Sequence, residues 1–365
     1  MANEGIISKA AIILLLILLL SSLYVVVRVQ SKLLHKIENF VVYYGSDKID
    51  VISKFDLAIL SPLLSKNNIR KLNDQGVITI GYISLTTIGG WEPWVKNVTK
   101  DIIIGRYSQW GENIINVSST KWHKIVLEVA IPYILDKGFR GVFLDNLDMV
   151  DRYPWMKNGI INLVKTIRQE YPNVIIIVNR GFTIIDSIAP YIDAVLFECF
   201  GTYYDFSSKK YLKWSGGDYE WMINIAQHLR ELSERYGLLV LALGYTDLKN
   251  NTMLIEYTNY VNNLAKLYGF IPYVAEISLT KINPLYLKKE TIKITTPTRT
   301  ITTRHEITRT VKKTEKSTRP LESESVSSIT ETKPTPTPNI ITCMLIILAI
   351  ILGVIVVSLI KLKRK

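Results

Sequence analysis

Two acids stand where apolar strand-like runs end. Gly141-Val-Phe-Leu stops at Asp145, and Ala194-Val-Leu-Phe stops at Glu198. A carboxylate at the end of a buried strand costs free energy unless it is paired or used. Two such groups around one cavity could hydrolyse a glycoside. One ionised group would attack or stabilise the anomeric centre, and one protonated group would give its proton to the leaving oxygen. Their separation decides retention or inversion, and a sequence does not contain that distance. A structural role competes with this reading, since either acid could pair with Arg180 or cap a helix. Other polar residues close neighbouring runs: Tyr43, Tyr44, Tyr82, Ser84, Asp148, Asn179, Arg180, Tyr245 and Asp247 are candidates for contacts to sugar hydroxyl or amine groups.

Other chemistries find little support. The chain has four histidines, and His123 and His228 fall on expected outer helices. Ser84 therefore has no visible base for a triad. Acids and histidines do not cluster as a metal site would require, and Cys199 and Cys343 are too few for a cysteine-based one. No HExxH, CxxC, P-loop or GxGxxG pattern occurs. The expectation is a reaction without cofactor or metal.

These polar residues need a scaffold that brings strand ends together. Between residues 37 and 287 the chain alternates short apolar runs with helical patterns. The strand candidates are Phe40–Tyr44, Leu57–Leu60, Val77–Ile83, Gly141–Leu144, Val174–Val178, Ala194–Phe197, Leu238–Leu243 and Phe270–Tyr273. Continuous apolar strands suit a parallel sheet buried on both faces. Helices are expected near 63–73, 121–136, 157–170, 219–236 and 254–268, several closed by a glycine. Eight such units in about 250 residues match a (β/α)8 TIM barrel, with a doubly wound open sheet as the alternative. On a closed barrel Asp145 and Glu198 would face each other across the mouth. Two long connections, 84–120 and 199–218, leave the third and sixth strands. They carry Trp91, Trp94, Trp110, Tyr203, Tyr204, Tyr211 and Trp214. Flat rings can pack on sugar faces or on one another; Trp91 and Tyr203 are taken as substrate contacts.

The net charge of +12 belongs to the flanks. Lys288 to the C-terminus carries 15 Lys and Arg against 6 acids, and the first 36 residues add a net +3. Residues 37–287 are close to neutral, which argues against a nucleic-acid partner. Residues 1–36 contain the apolar run Ile6–Val27, expected to be a signal peptide or an N-terminal anchor. Residues 291–339 are about half Ser, Thr and Pro, the composition of an extended stalk. Residues 340–365 read as a transmembrane anchor, and its basic end places the preceding chain outside the cell. Asn97, Asn116 and Asn250 each begin an N-glycosylation pattern. The barrel, residues 37–290, is thus expected outside the cell membrane. Its oligomeric state cannot be read from the sequence.

Several of these segments together resemble glycoside hydrolase family 114, the endo-α-1,4-polygalactosaminidase-like barrels. They are Val42-Tyr43-Tyr44-Gly45, Gly81-Tyr82-Ile83-Ser84, Gly138-Phe-Arg-Gly-Val-Phe-Leu-Asp145-Asn-Leu-Asp148, Val178-Asn179-Arg180-Gly181-Phe182, Leu196-Phe197-Glu198 and Gly269-Phe270-Ile-Pro272-Tyr273. The resemblance implies a TIM barrel that cleaves α-1,4 linkages in galactosamine-containing polymers without a metal. It implies Asp145 as nucleophile and Glu198 as general acid/base in a retaining mechanism. The family pattern has a Gly-Glu shortly after the third-strand serine, where this chain reads Ser84-Leu85-Thr86-Thr87. The loss of that acid leaves a non-catalytic glycan-binding module on a stalk as the competing function.

Overall fold

The computed structural model describes Leu34 and residues 36–108 and 110–287. The stalk, the C-terminal anchor and the apolar run Ile6–Val27 lie outside the described residues. Among the described residues, no helix is long and apolar enough to cross a membrane.

Thirteen strands occur in chain order among the described residues. They are β1 Phe40–Tyr43, β2 Leu57–Leu60, β3 Ile78–Ser84, β4 Thr87–Ile88, β5 Ile103–Tyr107, β6 Glu112–Ile115, β7 Gly141–Asp145, β8 Ile175–Asn179, β9 Ala194–Glu198, β10 Thr202–Asp205, β11 Lys210–Lys213, β12 Leu239–Tyr245 and β13 Ile271–Ala275. Eight of them form one parallel sheet in the order β1-β2-β3-β7-β8-β9-β12-β13. The sheet curls so that β13 lies against β1. The Phe40 and Tyr273 rings meet there at 5.7 Å, and the Tyr44 N–H donates to the Leu279 carbonyl at 2.8 Å. This is the barrel-like arrangement expected of a (β/α)8 fold rather than an open doubly wound sheet.

The strands of this eight-stranded sheet are buried and largely apolar on both faces. One face fills the barrel and the other takes the helices, chiefly Lys66–Asp74, Lys157–Glu170, Gly216–Tyr236 and Asn251–Tyr268. The last two helices end on Gly237 and Gly269, in the left-handed conformation at φ 71° and 72°. The region expected as one helix over 121–136 is a composite. Thr120–Lys124 and Ile131–Asp136 are α-helical, and Ile125–Ala130 between them is a π-helix. Pro132 lacks the N–H of a regular helical ladder and its ring opposes the preceding turn, which a local widening relieves.

Two antiparallel excursions leave the barrel on its C-terminal side. After β3 the chain builds a small sheet in the order β4-β6-β5, and after β9 it builds the hairpin β10-β11. Both lie inside the long connections read from sequence as loops.

Two of the three glycosylation patterns have their amide already engaged. Asn116 Oδ1 accepts from the Ser118 N–H, and Asn250 Oδ1 caps its helix through the Met253 N–H. Asn97 is exposed.

Candidate active site

Asp145, Asn179 and Glu198 are the last residues of three adjacent strands, β7, β8 and β9. In each case the next residue turns into the left-handed region: Asn146 at φ 62°, Arg180 at 52° and Cys199 at 62°. Non-glycine residues rarely adopt this conformation, and it is retained where a site requires it. Here it bends the backbone after three strands away from the barrel mouth while leaving three polar side chains at the mouth.

The three side chains form one unit. Asn179 Nδ2 donates to Asp145 Oδ1 at 2.8 Å and to Glu198 Oε2 at 2.7 Å. One nitrogen touches both oxygens, so those two oxygens lie no more than about 5.5 Å apart, within the range of carboxyl separations in retaining glycosidases. The acids therefore do not oppose each other across the full mouth. They flank β8, and an amide side chain sets their spacing. Neither acid pairs with Arg180, whose Nη1 lies 3.3 Å from Asp148 Oδ2.

Asp145 is surrounded by donors. Tyr82 O–H reaches Oδ2 at 2.8 Å, and the Asn146 N–H reaches Oδ1 at 2.7 Å beside the Asn179 amide. Glu198 Oε1 accepts from Tyr245 O–H at 2.5 Å. Burial, and then the charge of Glu198, push the Asp145 carboxyl up to about 7, against the pull of its three donors. The Tyr44, Tyr82 and Tyr245 hydroxyls are all pushed up, first by burial and then by the neighbouring carboxylates. They remain neutral, and Tyr82 and Tyr245 serve as donors to the two acids.

These groups line a cavity of about 630 Å³ at the C-terminal mouth of the barrel, the end where barrels of this type carry their chemistry. Tyr44, Tyr82, Trp91, Asp145, Asp148, Asn179, Arg180, Glu198 and Tyr245 all border it. Asn146, Tyr107, Trp110, Glu112, Tyr204 and Phe206 join them. Asp145, Asp148, Glu198 and Glu112 thus share the cavity with a single guanidinium. Among the described residues no group of three or more His, Cys, Asp or Glu side chains is placed to hold a metal ion.

A family model, glycoside-hydrolase family GH114, matches residues 36–291. The chain belongs to this family. No curated protein matches it. Among solved structures, the glycoside hydrolase domain of PelA from Pseudomonas aeruginosa is similar at 17% identity and a TM-score of 0.57, and a variant of that domain at 18% and 0.59. Each pairing covers 67% of this chain and 97% of the PelA domain. Ega3 from Aspergillus fumigatus, in complex with galactosamine, aligns at 18% identity and a TM-score of 0.49, covering 67% of this chain and 92% of Ega3. At such identities the likeness shows the fold alone.

Within this GH114 barrel, four residues expected to touch substrate lie elsewhere. Tyr43 points outward from β1, fully buried, and donates its hydroxyl to Asp47. Side chains alternate along a strand, so Val42 and Tyr44 take the inner face. Tyr203 stacks on Trp214 with centroids 4.0 Å apart and 18° between planes, and its neighbour Tyr204 borders the cavity instead. Asp247 Oδ1 accepts from the Lys249 N–H and shapes the turn before the last long helix. Ser84 is buried behind the site, where its Oγ accepts from Asn146 Nδ2 at 2.9 Å and lies 2.7 Å from Thr87 Oγ1. It supports Asn146 rather than facing substrate. Trp94 is also internal, buried against Tyr133.

Glu112 is the acid that the sequence did not reveal. It comes from β6, and its Oε2 accepts from Thr87 Oγ1 at 2.6 Å. Burial raises its carboxyl, as does Glu92 nearby, while the Thr87 hydroxyl lowers it. The excursion after β3 thus brings an acid beside Thr87 of the Ser84-Leu85-Thr86-Thr87 stretch, which carries no acid of its own. The available signal was an acid within an aromatic-rich connection on the functional side of a barrel.

The second glycine of the Gly138–Asp145 block also has a physical reason. A Cβ on Gly141 would run into the backbone carbonyl of Ile175 and the Ile80 side chain. Strand β7 can pair with β8 at this spacing only with no side chain there.

Proposed function

We propose that the protein is a retaining, endo-acting glycosidase that cleaves α-1,4 linkages in a galactosamine-containing polysaccharide. Asp145 is the nucleophile and Glu198 the general acid/base. The observation that carries this reading is the Asn179 amide, which holds one oxygen of each carboxylate within hydrogen-bond reach of a single nitrogen. That spacing suits direct attack by one carboxylate and leaves little room for a water between the pair.

In the first step Asp145 attacks the anomeric carbon while Glu198 gives its proton to the departing oxygen. A covalent glycosyl ester forms and the glycosidic bond breaks. In the second step Glu198 takes a proton from water, the water oxygen attacks the anomeric carbon, and Asp145 leaves as a carboxylate. The donors around Asp145 support its role. Tyr82, Asn146 and Asn179 all direct hydrogens at it, which offsets part of the rise imposed by burial and Glu198 and steadies the charge needed for attack and for departure. The acid-rich cavity supports a substrate bearing amines, because ammonium groups would offset carboxylate repulsion in a partly dry site. The flanks support a location outside the cell membrane, with the barrel tethered through its terminal segments.

The test is incubation of the protein with galactosamine-containing and neutral α-linked polymers, counting reducing ends. Wild-type protein should generate new ends on the amino-sugar polymer, and Asp145→Asn should not. Glu198→Gln should retain turnover only on aryl glycosides whose leaving groups need no proton. Proton NMR of the first-formed product should show the α anomer. A β anomer would overturn the retaining mechanism. Polymer binding without any new ends would identify a binding module instead.

A further inference from the structure

The two excursions meet over the cavity. Trp110 lies in the turn between β5 and β6, and Phe206 follows β10. Their rings touch edge to face, with centroids 5.4 Å apart and planes at 85°. Both border the catalytic cavity, yet Trp110 is 54% exposed and Phe206 44%. Large rings left this open at the mouth of a cavity are poorly explained as packing, since water still covers much of their apolar surface.

The Phe206 side is braced. Asp205 Oδ1 and Oδ2 accept from the Ser207 and Ser208 N–H groups and fix the turn. Phe206 meets Tyr204 at 5.1 Å, and Tyr204 meets Tyr211 at 4.9 Å. Tyr211 Oη accepts from the Ile277 N–H beyond β13. Trp110, by contrast, has Phe206 as its one ring partner among the described residues. One jaw is held by the barrel and the other reaches toward it from the opposite excursion.

We propose that Trp110 and Phe206 form a clamp for a sugar ring outside the pair joined by the scissile bond. The apolar face of that ring packs on the exposed face of the indole or the phenyl, and a polymer leaving the cavity runs over the joined pair of rings. The clamp makes the enzyme prefer long chains to short substrates. This inference rests on the glycosidase reading above and adds a specificity element to it.

The experiment compares wild type, Trp110→Ala, Phe206→Ala and Trp110→Phe on two substrates. One is an α-1,4-linked galactosamine polymer, and the other is an activated aryl α-galactosaminide that fills only the central site. In parallel, polymer binding is measured by calorimetry on full-length Asp145→Asn protein with and without Trp110→Ala. Losing one aromatic contact should lower the polymer-to-aryl ratio of kcat/KM about five- to tenfold and weaken polymer binding by a similar factor. Trp110→Phe should recover most of both. Equal losses on the two substrates, or unchanged polymer binding, would overturn the clamp. Wild-type protein that turns over neither substrate, with binding that still falls in the Trp110→Ala background, would keep the clamp and refute hydrolysis. Melting temperatures matching the parent proteins exclude misfolding as the cause.

Discussion

Asp145→Asn should stabilise the protein while abolishing its activity, and the gain should depend on pH. In an unfolded chain this carboxyl ionises near 3.8, and in the barrel burial and Glu198 push it up to about 7. Between those values the folded protein keeps a proton that the unfolded chain has released. Wild-type stability therefore falls as pH rises from about 4 to about 7 and is level above that. Three units at 1.36 kcal/mol each would be about 4 kcal/mol in a dry site. The carboxyl borders a cavity open to water, and screening takes this to about 2 kcal/mol. Asparagine keeps an acceptor for the Asn146 N–H and the Asn179 amide and carries no charge against Glu198. The Tyr82 hydroxyl can rotate to accept from the new amide. For a domain of this size the gain corresponds to about 4–8 °C in Tm. Calorimetry at pH 4, 6 and 8 should show the difference growing from near zero to that plateau. A difference independent of pH, or an Asp145→Asn protein less stable than wild type at pH 8, would refute the electrostatic reading of the site.

The same shift predicts a pH–rate profile with an unusual acid limb. If Asp145 must be ionised to attack, kcat/KM should rise toward about pH 7 rather than level off near pH 5. With an activated aryl substrate, Glu198→Gln should move that limb to lower pH by removing the neighbouring charge. Away from the site, Arg168 binds Asp193 Oδ2 at 2.5 Å and the carbonyls of Pro172, Val174 and Tyr191 at 2.9–3.0 Å. Arg168→Met should destabilise by about 3 kcal/mol or more in chemical denaturation, because it leaves a part-buried acid without its guanidinium. Gly141→Ala should cost more than about 2 kcal/mol and reduce soluble yield, since the colliding atom is backbone and cannot move aside cheaply.

The barrel was legible because its strands carry continuous apolar runs, and a parallel sheet covered on both faces leaves little choice of where they go. Their ends were less so. Strands β7, β8, β9 and β12 run on to Asp145, Asn179, Glu198 and Tyr245, past the last apolar residue of each run. The polar residue that breaks the pattern is the one the site uses. Adjacent tyrosines were the harder problem. Composition marks Tyr43 and Tyr44, or Tyr203 and Tyr204, alike, while strand alternation turns one of each pair inward. Strand β5 reads Ile-Ile-Gly-Arg-Tyr and β6 reads Glu-Asn-Ile-Ile. Neither alternates cleanly: β5 is largely exposed and β6 is buried only at Ile114 and Ile115, so neither strand has one uniformly covered face. In sequence the excursions therefore read as loops, and Glu112 carries no strand-period signal that sets it apart within them.

The Asn179 amide also bears on how the site survives its own reaction. In the proposed mechanism Asp145 loses its charge as it becomes an ester, and Glu198, having given up its proton, becomes the charged member of the pair. A pair positioned by charge alone would shift as the charge changes hands, just when Glu198 must turn from donor to acceptor. Asn179 sits on a barrel strand and keeps hold of Glu198 through Nδ2 whichever state Asp145 is in. In that mechanism the base that activates the water of the second step is therefore already in position when the first half-reaction ends.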